Sequence, residues 1–371
     1  VTTDTPPDSR RRVRRRDPED QQGWGDVPIS SLEHPYVRLL QVILFALVIV
    51  LGLNALGLLD PQPLTVDVTR ITGEDPVSAS ASVARQSHPG DAPIVVIAGT
   101  EALADGVVAT GLAGALDAPI LLNGTDALDP QILDVMRELD VAEAVLIGGV
   151  NALSGDFEAT LEEDLEIEVT RLAGASRFDT AGLVADLFAQ ETDPAEINGL
   201  PSALIVPAEN VSAGLEAGSL AASRATPLPI LISQEGRLPA PTLSAIDRLG
   251  IEQLFVVPAD ASGQGQIGQD FDGPIQIVQG RNGAAQIAID VRDFRPPRVV
   301  VVPPDDQART LVAGPLAGRE SGVILTADSA TQWLATNCGT VDDIFVIAEP
   351  SIIGDELIAE AEAAATQCPE E

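Results

Sequence analysis

The chain has 371 residues, 45% of them apolar, with 56 Asp and Glu against 21 basic residues and a formal net charge of −35. Every basic residue is Arg, and no Lys occurs. Affinity for nucleic acid rests on neutralising phosphates, so this balance excludes nucleic acid as a partner. The lack of Lys also excludes a Gly-Lys-Ser/Thr phosphate loop and Schiff-base chemistry. Two His (His34, His88) and two Cys (Cys338, Cys368) are too few for the usual metal or nucleophile–base sites. No metal, no cofactor and no catalytic residue is expected.

In chain order, residues 1–38 read as a disordered cytoplasmic tail: Pro6, Pro7, Pro18 and the Arg10–Arg16 cluster leave little to bury. Leu39–Leu59 is uncharged and, at 1.5 Å per residue, predicts one transmembrane helix spanning roughly 30 Å. A cleaved secretory signal is the competing reading, with Ala55 and Gly57 as a weak cleavage site. The Arg cluster and Arg38 precede the span, and Asp60 and Pro61 follow it. The positive-inside rule then predicts a single-pass cell-membrane protein with residues 60–371 extracytoplasmic. A cleaved chain would instead reside in the wall. Acids and Arg balance in the tail, so the whole −35 belongs to the exported part.

That part repeats. Val68-Thr69-Arg70-Ile71-Thr72-Gly73 recurs as Val169-Thr170-Arg171-Leu172-Ala173-Gly174 and, more loosely, as Ile275-Gln276-Ile277-Val278-Gln279-Gly280. Each copy continues with a helical stretch, a β run (Ile94–Ala98, Ala203–Val206, Val299–Val302) and a helix of small residues. A second β run follows (Pro119–Leu122, Pro229–Ile232, Val323–Thr326), then a helix and a third run (Val145–Ile147, Leu254–Val257, Ile344–Ile347). Short apolar runs alternating with helices predict parallel strands covered on both faces. The expected fold class is therefore α/β: three repeated layered units with short parallel sheets, packed with pseudo-threefold symmetry. Their boundaries are expected at 60–168, 169–274 and 275–371.

Arg171-Leu172-Ala173-Gly174-Ala175-Ser176-Arg177-Phe178-Asp179-Thr180-Ala181 resembles the opening of the cell wall binding type 2 repeat, written R-I-x-G-x-x-R-Y-x-T-A. Val145–Ser154 resembles its closing V-x-I-I-G-G-x-x-A-V-S, and Pro119-Ile120-Leu121-Leu122 its P-I-L-L segment. The family's Asp-Ala-Leu step is approximated by Ala104-Asp105-Gly106 and Ala213-Gly214-Leu215. The first repeat lacks the Arg-Tyr-x-Thr step, and the third keeps only Gly280-Arg281.

The resemblance implies non-covalent attachment to an anionic cell wall polymer or other envelope glycan, with no catalysis. Carried onto this chain, it gives a ligand-binding set of Arg171, Gly174, Arg177, Asp179 and Thr180, together with Pro119, Ile120, Leu121, Leu122, Pro229, Ile230, Leu231, Ile324 and Leu325. Read from the residues alone, Arg171 and Arg177 fork onto phosphate or carboxylate, or else form structural ion pairs with Asp179 or a neighbour. The Pro-Ile-Leu-Leu segments read first as buried strand. Cys338 and Cys368 form either a disulfide over the last helix or two buried thiols. The expected function is a membrane-anchored polymer-binding protein, touching lipid through residues 39–59. An extracytoplasmic ligand-binding or interaction module that keeps the fold without wall binding is the alternative.

Overall fold

The computed structural model describes residues 35–55, 64–258, 266–278, 282–292, 295–319 and 321–368. The tail up to residue 34, with its Arg cluster, lies outside them, as does the Gly280-Arg281 step. Two compact units divide the chain, 1–62 and 63–371.

The first unit contributes helix α1, Pro35–Ala55. Described side chains from Arg38 to Gly52 are all exposed, among them Leu39, Leu44, Phe45 and Leu51. Its uncharged apolar part, Leu39–Leu53, spans about 22 Å, against roughly 30 Å of hydrocarbon. Among the described residues no helix is long and apolar enough to cross a membrane. The span predicted over Leu39–Leu59 is therefore not met by the described helix, and its last four residues lie outside the described set.

The second unit opens with β1 (Asp67–Ile71) and α2 (Pro76–Ser87). Next come β2 (Ile94–Gly99), α3 (Leu103–Leu116), β3 (Ile120–Asn123), α4 (Pro130–Glu138), β4 (Glu143–Ile147), α5 (Gly155–Ala159) and β5 (Glu168–Leu172). The chain continues with α6 (Arg177–Glu191), β6 (Glu196–Ile197), β7 (Leu200–Pro207), α7 (Val211–Glu216), α8 (Gly218–Ala221), β8 (Ile230–Ser233), α9 (Ala240–Leu249), β9 (Gln253–Val256), α10 (Ile267–Asp270) and β10 (Ile275–Ile277). It ends with α11 (Gly283–Arg292), β11 (Arg298–Val302), α12 (Gln307–Arg319), β12 (Val323–Thr326), α13 (Ala327–Thr336), β13 (Asp343–Ile347) and α14 (Asp355–Thr366).

These strands form three sheets of one strand order: β3-β2-β4-β5, β8-β7-β9-β10 and β12-β11-β13-β1. All their pairings are parallel; the short β6 alone adds antiparallel to β7. The α/β class with short parallel sheets is thus observed. Sheets and sequence repeats run out of phase by one strand. The strand carrying Val-Thr-Arg begins each repeat, yet it pairs with the last strand of the preceding one: β5 with β4 and β10 with β9. No repeat precedes the first among the described residues, and β1 completes the third sheet against β13, with Ile71 opposite Ile347. The described chain thus closes on itself.

Side-chain alternation explains why the strands read as continuous apolar runs. In the first sheet, Val96, Ala98, Ile120, Leu122, Val145 and Ile147 face a cluster shared by all three sheets. Their neighbours Val95, Ile97, Leu121 and Leu146 face α4 and α5 through Ile132, Met136 and Phe157. Likewise Leu204, Ile230 and Phe255 point to the shared core, and Ile205, Leu231 and Leu254 to α9.

The shared core is built on α3, α8 and α12, which pack on one another through small residues. A Cβ added at Gly114 would lie 2.4 Å from the Ala222 carbonyl oxygen, and one at Gly318 2.1 Å from the same atom. Thr110 Cγ2 would lie 2.3 Å from a Cβ at Gly314. Near the chain end Cys338 and Cys368 are joined in a disulfide, tying the turn after α13 to the end of α14.

Gly318→Val should lower stability by about 2–3 kcal/mol or prevent folding, because backbone on both sides leaves no room to yield; urea unfolding measures it. Replacing both cysteines by Ser opens a loop of sequence separation 30 and should cost about 3.5 kcal/mol, read the same way.

Candidate functional site

The first motif arginine is held inside the fold. Arg171, on β5, donates from Nη1 to the Gly148 carbonyl at 3.0 Å, from Nη2 to the Ser154 carbonyl at 3.3 Å and from Nε to Glu158 at 2.9 Å. It thereby pins the turn between β4 and α5. Arg70 repeats this arrangement on β1, with the Ala348 carbonyl at 2.9 Å and Asp355 at 2.8 Å. Ile277 stands at the matching position of β10. In the first and third sheets the arginine is thus a clamp between a strand and the loop beside it.

Gly174, Asp179 and Thr180 build the start of α6. A Cβ on Gly174 would meet Asp179 Cβ at 2.4 Å, so only glycine lets the strand exit pass so close to the helix. Buried Thr180 accepts the Gly174 N–H at 3.0 Å. Ser176 caps α6 by accepting the Asp179 N–H at 3.3 Å and donates its hydroxyl to Asp179 at 2.5 Å.

The Pro-Ile-Leu-Leu segments are outer strands buried on both faces. Ile120, Leu121, Leu122, Ile230, Leu231, Ile324 and Leu325 are all at most 3% exposed. Pro119 and Pro229 are buried too, their carbonyls accepting the N–H groups of Val96 and Leu204 at 3.0 Å. These side chains are core, and solvent does not reach them.

Arg177 differs from the rest of the expected set. It is the first residue of α6, exposed, with one long hydrogen bond of 3.4 Å to the Ala208 carbonyl at the end of β7. Across from it stands Asp105, in the first turn of α3. Asp105 lies close to Gly148, where φ is +97° and an added Cβ would approach its Oδ2 to 3.3 Å. Burial pushes the Asp105 carboxyl above its ordinary value of 3.8, and the Arg177 charge opposes that rise only in part. A half-buried carboxyl and an exposed arginine, for which no ion pair is seen among the described residues, are therefore neighbours near the exits of β4 and β7. Asp105 was absent from the expected ligand set. Its signal was the position of the Asp-Ala-Leu step after the first strand.

The pair occurs once. Counting back equally from Thr110, Gly218 and Gly314, which meet at the centre of the helices, Asp105 is matched by Ala213 and Arg309. Arg177 is matched by Pro76 and Gly283. Arg309 is buried and occupied, donating to Asp306 and, at 2.6 Å, to the Gly73 carbonyl. Gly73 in turn donates its N–H to Glu349 at 2.8 Å. Arg309 thus joins the start of α12 to the turn after β1. Among the described residues, no group of His, Cys, Asp and Glu is arranged to hold a metal.

A model of the family described as cell wall binding domain 2 matches residues 70–158, from the Arg70 clamp through β2, α3 and β4 to Glu158. Over residues 70–158 the chain is thus similar to the cell wall binding domain 2 family. The chain is also 25% identical over 215 residues to the N-acetylmuramoyl-L-alanine amidase LytC of Bacillus subtilis, a match covering 57% of this chain and 40% of the amidase. Two solved structures share the fold, both from Clostridium difficile. Cwp6 has a TM-score of 0.70 at 20% identity, over 83% of this chain and 49% of its own. Cwp8 has a TM-score of 0.67 at 19% identity, over 81% and 52%. The chain therefore spans about half the length of those two structures and less of the amidase.

Asp105 gives the site a pH signature. A carboxyl raised in the folded state binds its proton more tightly there than in the unfolded chain. Stability is then lost as pH rises from about 3.8 through the raised value. Asp105→Asn removes that penalty and should be more stable than the parent chain at pH 7, with the difference vanishing near pH 3.5, as thermal unfolding at several pH values would measure.

Proposed function

We propose that residues 64–368 bind an anionic cell wall polymer without chemistry of their own, at the site where Arg177 and Asp105 are neighbours. The observation that carries this reading is Arg177, a motif arginine that remains exposed and for which no ion pair is seen among the described residues. Its guanidinium suits the two oxygens of a phosphate or carboxylate. Burial pushes the neighbouring Asp105 carboxyl above its ordinary value. The family match over 70–158 supports the same class of ligand.

The net charge of −35 shapes how such binding works. Long-range repulsion holds a polyanion off, and only short-range contacts at this site hold it on. Salt screens the first over a Debye length of about 10 Å at 0.1 M. Binding should therefore rise from low to moderate ionic strength, or on adding Mg²⁺, opposite in sign to a basic polymer binder.

In the same proposal the apolar run 39–59 holds the chain to a membrane, with the Arg-rich tail on the cytoplasmic side. Support comes from the order of the Arg cluster and the run, and from the exposed apolar side chains of α1. A disulfide fits an oxidising, extracytoplasmic location. Retention of the full chain in membranes after an alkaline wash is the expected result. A mature N-terminus near residue 60 would instead mean that the run is cleaved.

The deciding experiment is co-sedimentation of the chain with purified walls, before and after stripping their anionic polymers, across salt and with or without Mg²⁺. Binding lost on stripping, and weakened roughly tenfold by Arg177→Ala, is expected, since a hydrogen bond to a charged group is worth about 1.5–3 kcal/mol. No binding to either preparation would leave the fold without its polymer and favour an interaction module. Release of wall fragments by the purified chain would overturn the non-catalytic reading.

A further inference from the structure

The carboxyl ends of α3, α8 and α12 converge on a shallow recess lined by His88, Asp117, Ala222, Arg224, Pro315 and Arg319. The carboxyl ends of α3 and α12 carry partial negative charge, which Arg224 and Arg319 already offset. Asp117, the left-handed cap of α3 (φ 53°), adds a full negative charge there. Its carboxylate faces Arg224 at 3.2 Å, Arg319 at 3.5 Å and His88 Nε2 at 3.9 Å.

His88, just past the end of α2, is 2% exposed, and both ring nitrogens are engaged. Nε2 lies 2.9 Å from the Asp117 carbonyl oxygen, and Nδ1 2.7 Å from Ser87 Oγ. In the neutral ring Nε2–H donates to the carbonyl, and the Ser87 hydroxyl donates to Nδ1. Protonation turns Nδ1 into a donor and swings the Ser87 hydroxyl to the Ala84 carbonyl, 3.2 Å away. Three charged groups face the ring: Asp117 from the α3 cap, Arg224 from beyond α8 and Arg319 from the end of α12. On the α4 side of α2, Arg85 pairs with Glu138 near Asp134, and that pair acts on itself.

We propose that His88, with Asp117, Arg224 and Arg319, forms an acid-sensitive latch that holds the carboxyl ends of the three central helices together while the imidazole is neutral and loosens them once it is protonated. A proton on the buried His88 ring places a third positive charge around a single carboxylate. Burial, then Arg319, hold the imidazole below its ordinary value of 6.5. Since the unfolded chain takes the proton first, stability is complete above about pH 6.5 and is lost as pH falls through the folded-state value. The latch and Asp105 sit at opposite ends of α3, about 18 Å apart along its axis.

The test is an imidazole titration of the full chain by ¹⁵N NMR, simplified because the chain has only two histidines. His88→Gln identifies the His88 signals. His88 should protonate at lower pH than histidine in the urea-unfolded chain. Over the same interval, amide exchange at 113–118 and 316–319, corrected for its intrinsic pH dependence, should accelerate tenfold or more. Arg319→Gln should move the His88 midpoint up, and His88→Gln should abolish the exchange step. A His88 midpoint at or above the unfolded value, or exchange that stays level through the titration, overturns the proposal. Those readings on the parent chain and Arg319→Gln decide it even if His88→Gln does not fold.

Discussion

The Ala222 carbonyl is the point on which the second unit depends. Gly114 of α3 and Gly318 of α12 pass it on two sides, each without room for a Cβ. Close-packed interiors carry few voids, so helices this near one another leave no separate core for each repeat. One apolar cluster runs through all three sheets, and peripheral clusters sit only outside the first two. Such a core cannot be divided into three independently folded beads.

That closeness has an electrostatic consequence. Helices that meet through small residues also meet at their ends, where backbone charge is unbalanced. At the carboxyl ends the chain spends Arg224 and Arg319, two of its few cations, around Asp117 and His88. On the amino side, α3, α7 and α12 carry different residues at matched positions, Asp105, Ala213 and Arg309. A repeated backbone thus supports unequal surroundings: an exposed arginine at one, and a buried Arg309 bonded to Asp306 and the Gly73 carbonyl at another.

Chain closure joins these features. Arg70 and Arg171 perform the same clamp at two sheets, although the sequence separates Arg70 from its partner loop by 278 residues. The motif arginine is a fold residue first. It fastens the completing strand to the loop beside it in two of the three sheets, while the second arginine of the motif, Arg177, is left exposed.

Much of this was legible in the sequence. The three β runs of each repeat, the small-residue helices and the α/β class follow from local apolar patterning, which survives because strands buried on both faces need continuous apolar residues. The acidic balance and the absence of Lys are properties of composition alone. Tertiary structure decided the rest. Which sheet receives β1, β5 or β10 depends on pairing with distant strands, and no local pattern encodes a partner. Whether Arg171 or Arg177 is clamped depends on which carbonyls lie within reach, so two arginines of one motif part ways: one is held by three backbone and side-chain acceptors, the other reaches the Ala208 carbonyl in one long bond. Burial of the Pro-Ile-Leu-Leu strands was readable from their apolarity, whereas the convergence of His88, Asp117, Arg224 and Arg319 was not, because residues from 88 to 319 meet only when three helices close around one carbonyl.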